Sequence, residues 1–393
     1  MIFLKPTTFP ESHLRERGRA NSPVHSSTEV SGRIQTAVMV RWTPILMLFA
    51  SMAALVSGSL SNVRNATLPR LSWNLLSTGS NARFRGLAPV SDKIAWVSGT
   101  NGTVLLSTDG GSTWESVGPS LSAEDAELEF RDIEAWSAER AVILSIGEGQ
   151  SSRVYVTHDG GATWAQSFTN QEATAFYDCI AFETPQRGMA MSDPVDGKIR
   201  LIETLDGGES WNLVDPSGMP PAVEGESGFA ASGTCIATAA GRWYVASGGV
   251  DPGRIFRSAN GYQWNVSNAS IMGGEGGGVF PVQFRNAKQG IAVGGNFETP
   301  TGATNNSAWS IDGGATWVPS ALFPGGYRSG SSWVPGHNSI ALAVGPTGSD
   351  LTLDGGRTWH GFDNGTFDSV ECIDGYICYA SGQDGRVAQL RWK

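Results

Sequence analysis

AWVSGTNGTVLLSTDGGSTW, residues 95–114, decides the fold. It reads as a strand, a tight turn at Asn101-Gly102, a second strand, and a glycine-bearing turn that ends on tryptophan. Apolar alternation on both sides of an Asn-Gly pair is a hairpin signal. The last eight residues, STDGGSTW (107–114), return as THDGGATW (157–164), TLDGGESW (204–211), SIDGGATW (310–317) and TLDGGRTW (352–359). A shorter copy, SANGYQW (258–264), has Asn in place of Asp. The Asp/Asn positions are 109, 159, 206, 260, 312 and 354, so the spacings are 50, 47, 54, 52 and 42. A period of this size, filled with short alternating strands, predicts a four-stranded propeller blade.

Each copy has a mechanical reading. Asp109, Asp159, Asp206, Asn260, Asp312 and Asp354 accept backbone N–H groups inside a tight turn. The glycines supply angles that a side chain forbids. Trp114, Trp164, Trp211, Trp264, Trp317 and Trp359 then bury a large ring between blades. Calcium is a poor fit, since one carboxylate per turn is far from an oxygen cage.

Upstream of the turns lie inner strands such as FRGLAPV (84–90), FRDIEAW (130–136) and FYDCIAF (176–182). Six boxes give six complete blades. The carboxyl end supplies three strands of a seventh (FDSVECI, YICYASG, RVAQLRWK) but no box. LPRLSWNLLSTG (68–79) holds an orphan strand with Trp73 in the anchor position. The expected fold is therefore all-β, a seven-bladed propeller over 68–393. Its ring is closed by the N-terminal strand, which removes two sheet edges.

Composition agrees. The 393 residues include 51 Gly and 14 Trp, and 27 Lys+Arg stand against 37 Asp+Glu for a net charge of −10. An acidic chain lacks the basic face of a nucleic-acid binder. The four cysteines form no C-x-x-C pair, and no metal or cofactor is expected. Residues 1–38 have no apolar period and read as a disordered leader or a gene-model extension. At 39–58, a positive flank, the apolar run ILMLFASMAALV and small residues describe a signal peptide. That run is shorter than the roughly 20 residues of a membrane span. Residues 59–67 read as a short linker. Sequons at Asn65, Asn101, Asn265, Asn268, Asn305 and Asn364 fit a secreted glycoprotein.

The boxes match the pattern of the Asp-box, or BNR, repeat. AWVSGTNGTVLLSTDGGSTW resembles the repeat of the photosystem II stability/assembly factor family and its bacterial relatives; YDCIAF, SDPVDGK, GFAASGTC, GYRSG and VGPTGSD are similar to bacterial members. The resemblance implies a WD40/YVTN-like propeller that binds and stabilises assembling protein intermediates without catalysis. In the photosynthetic members it implies a binding patch of arginines. Some bacterial relatives carry an oxidoreductase label, but no G-x-G-x-x-G opens a helix here.

Among enzymes, an Asp-box glycoside hydrolase is the main alternative, since two carboxylates brought together in space would serve it. A sialidase is disfavoured, for no Arg-Ile-Pro string precedes the boxes. Serine-hydrolase chemistry needs a free histidine, and only His337 qualifies, in a turn.

The boxes join the third and fourth strands of each blade and so share one face. The opposite face collects Asp193, Asp196, Glu226, Asp251, Glu298 and Asp350, with Tyr327 and Arg328 from GYRSG; Asp178 lies in an inner strand. Asp178, Asp193, Asp196, Glu226, Tyr327, Arg328 and Asp350 are the candidate ligand-binding set, for a protein or carbohydrate. A short turn sets Cys372 opposite Cys378 for a disulfide; Cys179 and Cys235 either pair or remain buried thiols. The reading is a secreted, monomeric, non-catalytic binding or assembly scaffold, with the thylakoid lumen as the other location.

Overall fold

The computed structural model describes Leu71–Trp392. The leader (1–38), the apolar segment (39–58), the linker (59–67) and the Asn65 sequon lie outside the described residues. The described residues open with β1 (Leu71–Leu76). The first blade is β2 (Phe84–Pro89), β3 (Ala95–Gly99), β4 (Val104–Ser107) and β5 (Glu115–Ser116). The second is β6 (Phe130–Ala135), β7 (Ala141–Ser145), β8 (Arg153–Thr157) and β9 (Ala165–Thr169). The third is β10 (Tyr177–Phe182), β11 (Gly188–Val195), β12 (Lys198–Thr204) and β13 (Asn212–Leu213). The fourth is β14 (Ile236–Ala239), β15 (Arg242–Ser247), β16 (Arg254–Ser258) and β17 (Trp264–Asn268). The fifth is β18 (Gly277–Phe284), β19 (Gly290–Asn296), β20 (Ser307–Ser310) and β21 (Val318–Pro319). The sixth is β22 (Gly330–Trp333), β23 (Ala341–Gly345), β24 (Gly348–Thr352) and β25 (His360–Asp363). The seventh takes β26 (Ser369–Cys372), β27 (Cys378–Ser381) and β28 (Val387–Trp392) from the carboxyl end and β1 from the start. The protein is a seven-bladed β-propeller, as the period predicts.

Closure is antiparallel, with Leu71 opposite Trp392 through to Leu76 opposite Val387. Trp73 reaches the sixth blade, where its Nε1 donates to Ser349 Oγ at 3.0 Å and its ring lies 5.2 Å from that of Phe367. Arg83 then forks onto Asp368 with bonds of 2.7 and 2.6 Å. The two ends of the chain are thus joined by a ladder, a ring contact and an ion pair.

Seven apolar clusters fill the seven blade interfaces. One joins Val142, Leu144 and Val156 of the second blade to Ile180, Ile202 and Trp211 of the third. There, Trp136, Phe182 and Trp211 stack edge to face in series. No blade can bury its faces alone, so the ring is one cooperative core.

The DGG turns share one geometry. Asp109 Oδ1 accepts from the Thr113 N–H at 2.9 Å and its Oδ2 from the Thr113 hydroxyl at 2.7 Å. The Ser107 hydroxyl donates to Asp109 and accepts from Gly111 N–H at 2.8 Å. Asp159, Asp206, Asp312 and Asp354 repeat this pattern. In the shorter copy, Asn260 Oδ1 accepts from Tyr262 and Gln263 N–H instead. These bonds favour the ionised form and hold the Asp109 carboxyl below its usual range. Gly111 sits at φ 82°, and a Cβ there would lie 2.4 Å from Cδ1 of Leu76 in β1.

Candidate functional site: the axial cup

Each innermost strand runs from the face opposite the DGG turns toward the DGG face. In five blades it is preceded or opened by an aromatic residue followed by a charged one: Phe84-Arg85, Phe130-Arg131, Tyr177-Asp178, Tyr327-Arg328 and Phe367-Asp368. All five aromatic rings are buried. In the first three blades a β-bulge leaves the charged residue without a cross-strand partner, between Phe84/Gly86, Phe130/Asp132 and Tyr177/Cys179. Bulges re-aim side chains, and here they turn charged groups toward the propeller axis.

The segment 229–234, just before β14, crosses the axis. Ala230 O accepts from Arg131 Nη1 at 3.0 Å, and Ser232 Oγ donates to Ser329 O, beside the sixth blade, at 2.8 Å. A Cβ on Gly233 would lie 2.0 Å from Asp132 Oδ1, so a larger residue there would displace that carboxyl. This plug closes the axial channel toward the face opposite the DGG turns. What remains is a cup of about 300 Å³, whose lining continues to Phe182, Thr238, Phe284, Trp333 and Cys372 at the DGG end.

Arg85 stands at the floor of the cup, 4% exposed. Its Nε has no hydrogen-bond partner, and among the described residues no carboxylate pairs with its guanidinium. The neighbouring cations are occupied, Arg131 by Glu129 and Arg83 by Asp368. Burial, with Arg131 nearby, pushes the Arg85 pKa down to about 9. The hydroxyl of Tyr327 lies in the same field, and burial raises its pKa.

The wall of the cup is acidic. Asp132 accepts N–H bonds from Ile133 at 2.8 Å and Ile180 at 2.7 Å, yet burial lifts its pKa to about 7. Glu134 and Glu371 occupy equivalent rungs of the second and seventh blades, opposite Val142 and Tyr379. Among the described residues neither carboxylate has a hydrogen bond or an ion pair. Glu371 opens onto the cup but is walled in by protein, which raises its pKa to about 8, with Asp132 adding to the effect. Enclosure, then Glu371 and Asp132, push Glu134 well above the carboxylate range.

The other candidates are spread over several places. Arg328 Nε donates to Asp350 at 2.6 Å, and its Nη1 donates to Tyr327 O and to Thr347. Glu226 accepts from Arg254 at 2.8 Å, from the Ser247 hydroxyl at 2.6 Å and from Val223 N–H. Asp193 accepts from Gly228 N–H and so supports the approach to the plug, and Asp178 lies close by, its Oδ2 2.6 Å from where a Cβ on Gly228 would stand. Asp196 is an exposed turn residue at φ 52°, 3.7 Å from Arg200. Glu226, Arg328 and Asp350 carry buried charges already neutralised within the protein. Arg85, Glu134 and Glu371 were not in the candidate set, although aligning the inner strands sets Arg85 and Arg131 at one repeat position.

Cys179 is disulfide-bonded to Cys235, tying the third blade to the end of the plug, and Cys372 to Cys378 across a hairpin. Asn101, Asn265, Asn268, Asn305 and Asn364 are all exposed. Among the described residues no His/Cys/Asp/Glu group is arranged to hold a metal, and no helix is long and apolar enough to cross a membrane.

No family model matches the chain, and no curated protein matches it by sequence. Solved structures do. One described as "YCF48 bound to D1 peptide" superposes with a TM-score of 0.57 at 16% identity, over 81% of this chain and 96% of that one. YCF48 from Cyanidioschyzon merolae gives 0.55 at 14%, over 81% and 98%. The GH74 enzyme of Niastella koreensis gives 0.55 at 13% identity, over 80% of this chain and 53% of that one, so this chain spans about half of the enzyme. At these identities the likeness is one of fold.

Proposed function

We propose that the chain is a secreted, glycosylated and monomeric Asp-box propeller that acts as a non-catalytic binding or assembly scaffold for a polypeptide. The observation that carries this is the open cup, with an unpartnered arginine on its floor and unpartnered carboxylates on its wall. A buried cation without a partner is costly, and a ligand that pairs Arg85 recovers that cost. The cup opens on the DGG face, so we assign the docking face there rather than to the opposite rim, whose principal charges are paired. A fold neighbour with a bound peptide is consistent with a polypeptide partner.

The test compares the full chain with R85Q as bait for proteins of the source extract. Specific retention of one polypeptide, lost in R85Q at unchanged Tm, supports the reading. Equal retention by both contradicts it. An extracellular glycoside hydrolase is the second reading, favoured by the Glu134/Glu371 pair and the GH74 neighbour. A glycosidase needs one protonated acid and one ionised partner, and Glu134 and Glu371 are the pair that would divide these roles. Release of reducing sugar from cell-wall glycans, lost in E371Q, would establish it.

A further inference from the structure

The cup has a guanidinium on its floor and ionisable carboxyls on its wall. Arg85 lies between the rungs Phe84/Gly99 and Gly86/Ser98 of the first blade. Glu134 and Glu371 lie on rungs equivalent to Ala88/Trp96, two to three residues nearer the DGG face. At about 3.3 Å per residue that is roughly 7–10 Å. The residue between them on the first blade is Ala88, which leaves the wall open at that level. A volume of about 300 Å³ is at the small end of ligand sites. It holds one long side chain and its backbone, not a folded element. The floor is shut by the plug at Gly233, so a ligand enters from the DGG face and stops at Arg85.

Two observations point independently to a ligand. Arg85 is buried and aimed into the cup with no partner. Glu134 and Glu371 face the same space, also without partners, although paired ion pairs are the rule elsewhere in this protein. An anion alone satisfies the floor and leaves the wall; a cation alone does the reverse. Only a molecule with both charges, separated by the length of an extended basic side chain, satisfies both.

We propose that the cup binds a cationic amino acid, lysine or arginine, with its α-carboxylate forked by Arg85 and its side-chain cation held between Glu134 and Glu371. A guanidinium takes a carboxylate in bidentate geometry, and a cation between two carboxylates offsets their mutual repulsion. The residue is supplied as a free amino acid or as the carboxyl terminus of a polypeptide; the latter source rests on the scaffold reading above.

Calorimetric titration of the full chain tests this. The probes are free lysine, Nα-acetyl-lysine, a tetrapeptide ending in lysine, its C-terminal amide, and the same peptide ending in norleucine. At least one of the three carboxylate-bearing lysine probes is expected to bind. The amide and the norleucine peptide should bind at least tenfold more weakly than the parent peptide. R85Q should lose discrimination between acid and amide. E134Q/E371Q should lose discrimination between lysine and norleucine. A peptide tenfold tighter than free lysine assigns the source as a chain terminus; equal or weaker peptide binding assigns it as the free amino acid. No binding of any lysine probe, or equal binding of acid and amide, overturns the proposal. The peptide modifications need no protein variant, so misfolding of R85Q cannot obscure the outcome. If these probes fail while the bait still retains a polypeptide through Arg85, the scaffold reading stands and this inference falls.

Discussion

Glu226 and Arg254 lie 28 residues apart and meet at 2.8 Å, and the same offset joins Asp125 to Arg153 and Glu172 to Arg200. In blades two, three and four, a carboxylate from the incoming loop clamps an arginine on the third strand. The pair is a feature shared by these three consecutive blades, on the face opposite the DGG turns. It pins the loop that delivers each inner strand, and so sets where the residues of the cup begin.

Breaking one member of the most buried of these three pairs should be severe. Arg254→Ala leaves Glu226 buried without its cation, and a loss of about 3–5 kcal/mol is expected. The double variant Arg254→Met/Glu226→Gln should recover much of it. Urea denaturation of the three chains checks this; additive losses would contradict a paired role.

The DGG turns should tolerate Asn better than Ala. Asp206 accepts from Ser210 N–H at 3.0 Å and bonds the Ser210 hydroxyl at 2.5 Å. Asp206→Ala removes these bonds and should cost about 1–2 kcal/mol, in the manner of a lost cap. Asp206→Asn keeps the acceptor, as Asn260 does in the short copy, and should cost less than half as much by thermal melting.

Ring closure should be cooperative. Trp73→Ala removes a half-buried ring from the junction of blades six and seven, with an expected loss of about 2–4 kcal/mol. Melting should stay a single transition at lower Tm. A separate early transition confined to the seventh blade would show that the blades unfold independently.

Glu371 should make stability fall with pH. Its pKa is about 8 in the folded chain and about 4.3 unfolded. The folded state therefore holds the proton more tightly, and stability declines as pH rises from about 4.3 through 8. Glu371→Gln should leave Tm unchanged near pH 4 and raise it at pH 8.5. Equal Tm differences at both pH values would contradict the raised pKa.

The propeller was legible because its signal is local and repeated. Asp, two glycines and Trp sit at fixed spacing five times over, and a shorter copy with Asn makes a sixth turn. The partnering of β1 with β28 followed from counting strands. The cup was hidden for the opposite reason. Arg85, Glu134 and Glu371 come from three blades and nearly 290 residues of sequence, and none belongs to a motif. The bulges that turn Arg85 and Arg131 inward leave no mark in composition. Glu226 and Asp350 looked like ligand residues because they stand beside glycine-rich turns. Their arginine partners, Arg254 and Arg328, lie 28 and 22 residues away, which no local pattern reveals.

The central claim is that a polypeptide docks on the DGG face over the cup. Three lysines report the face directly. Lys93 and Lys288 lie in turns whose carbonyls accept from the DGG loops at Gly110 and Gly313, whereas Lys198 lies in the β11–β12 turn on the opposite face. Crosslinking mass spectrometry of the chain with its retained partner should link that partner through Lys93 and Lys288 and spare Lys198. Links through Lys198, with Lys93 and Lys288 untouched, would contradict the account.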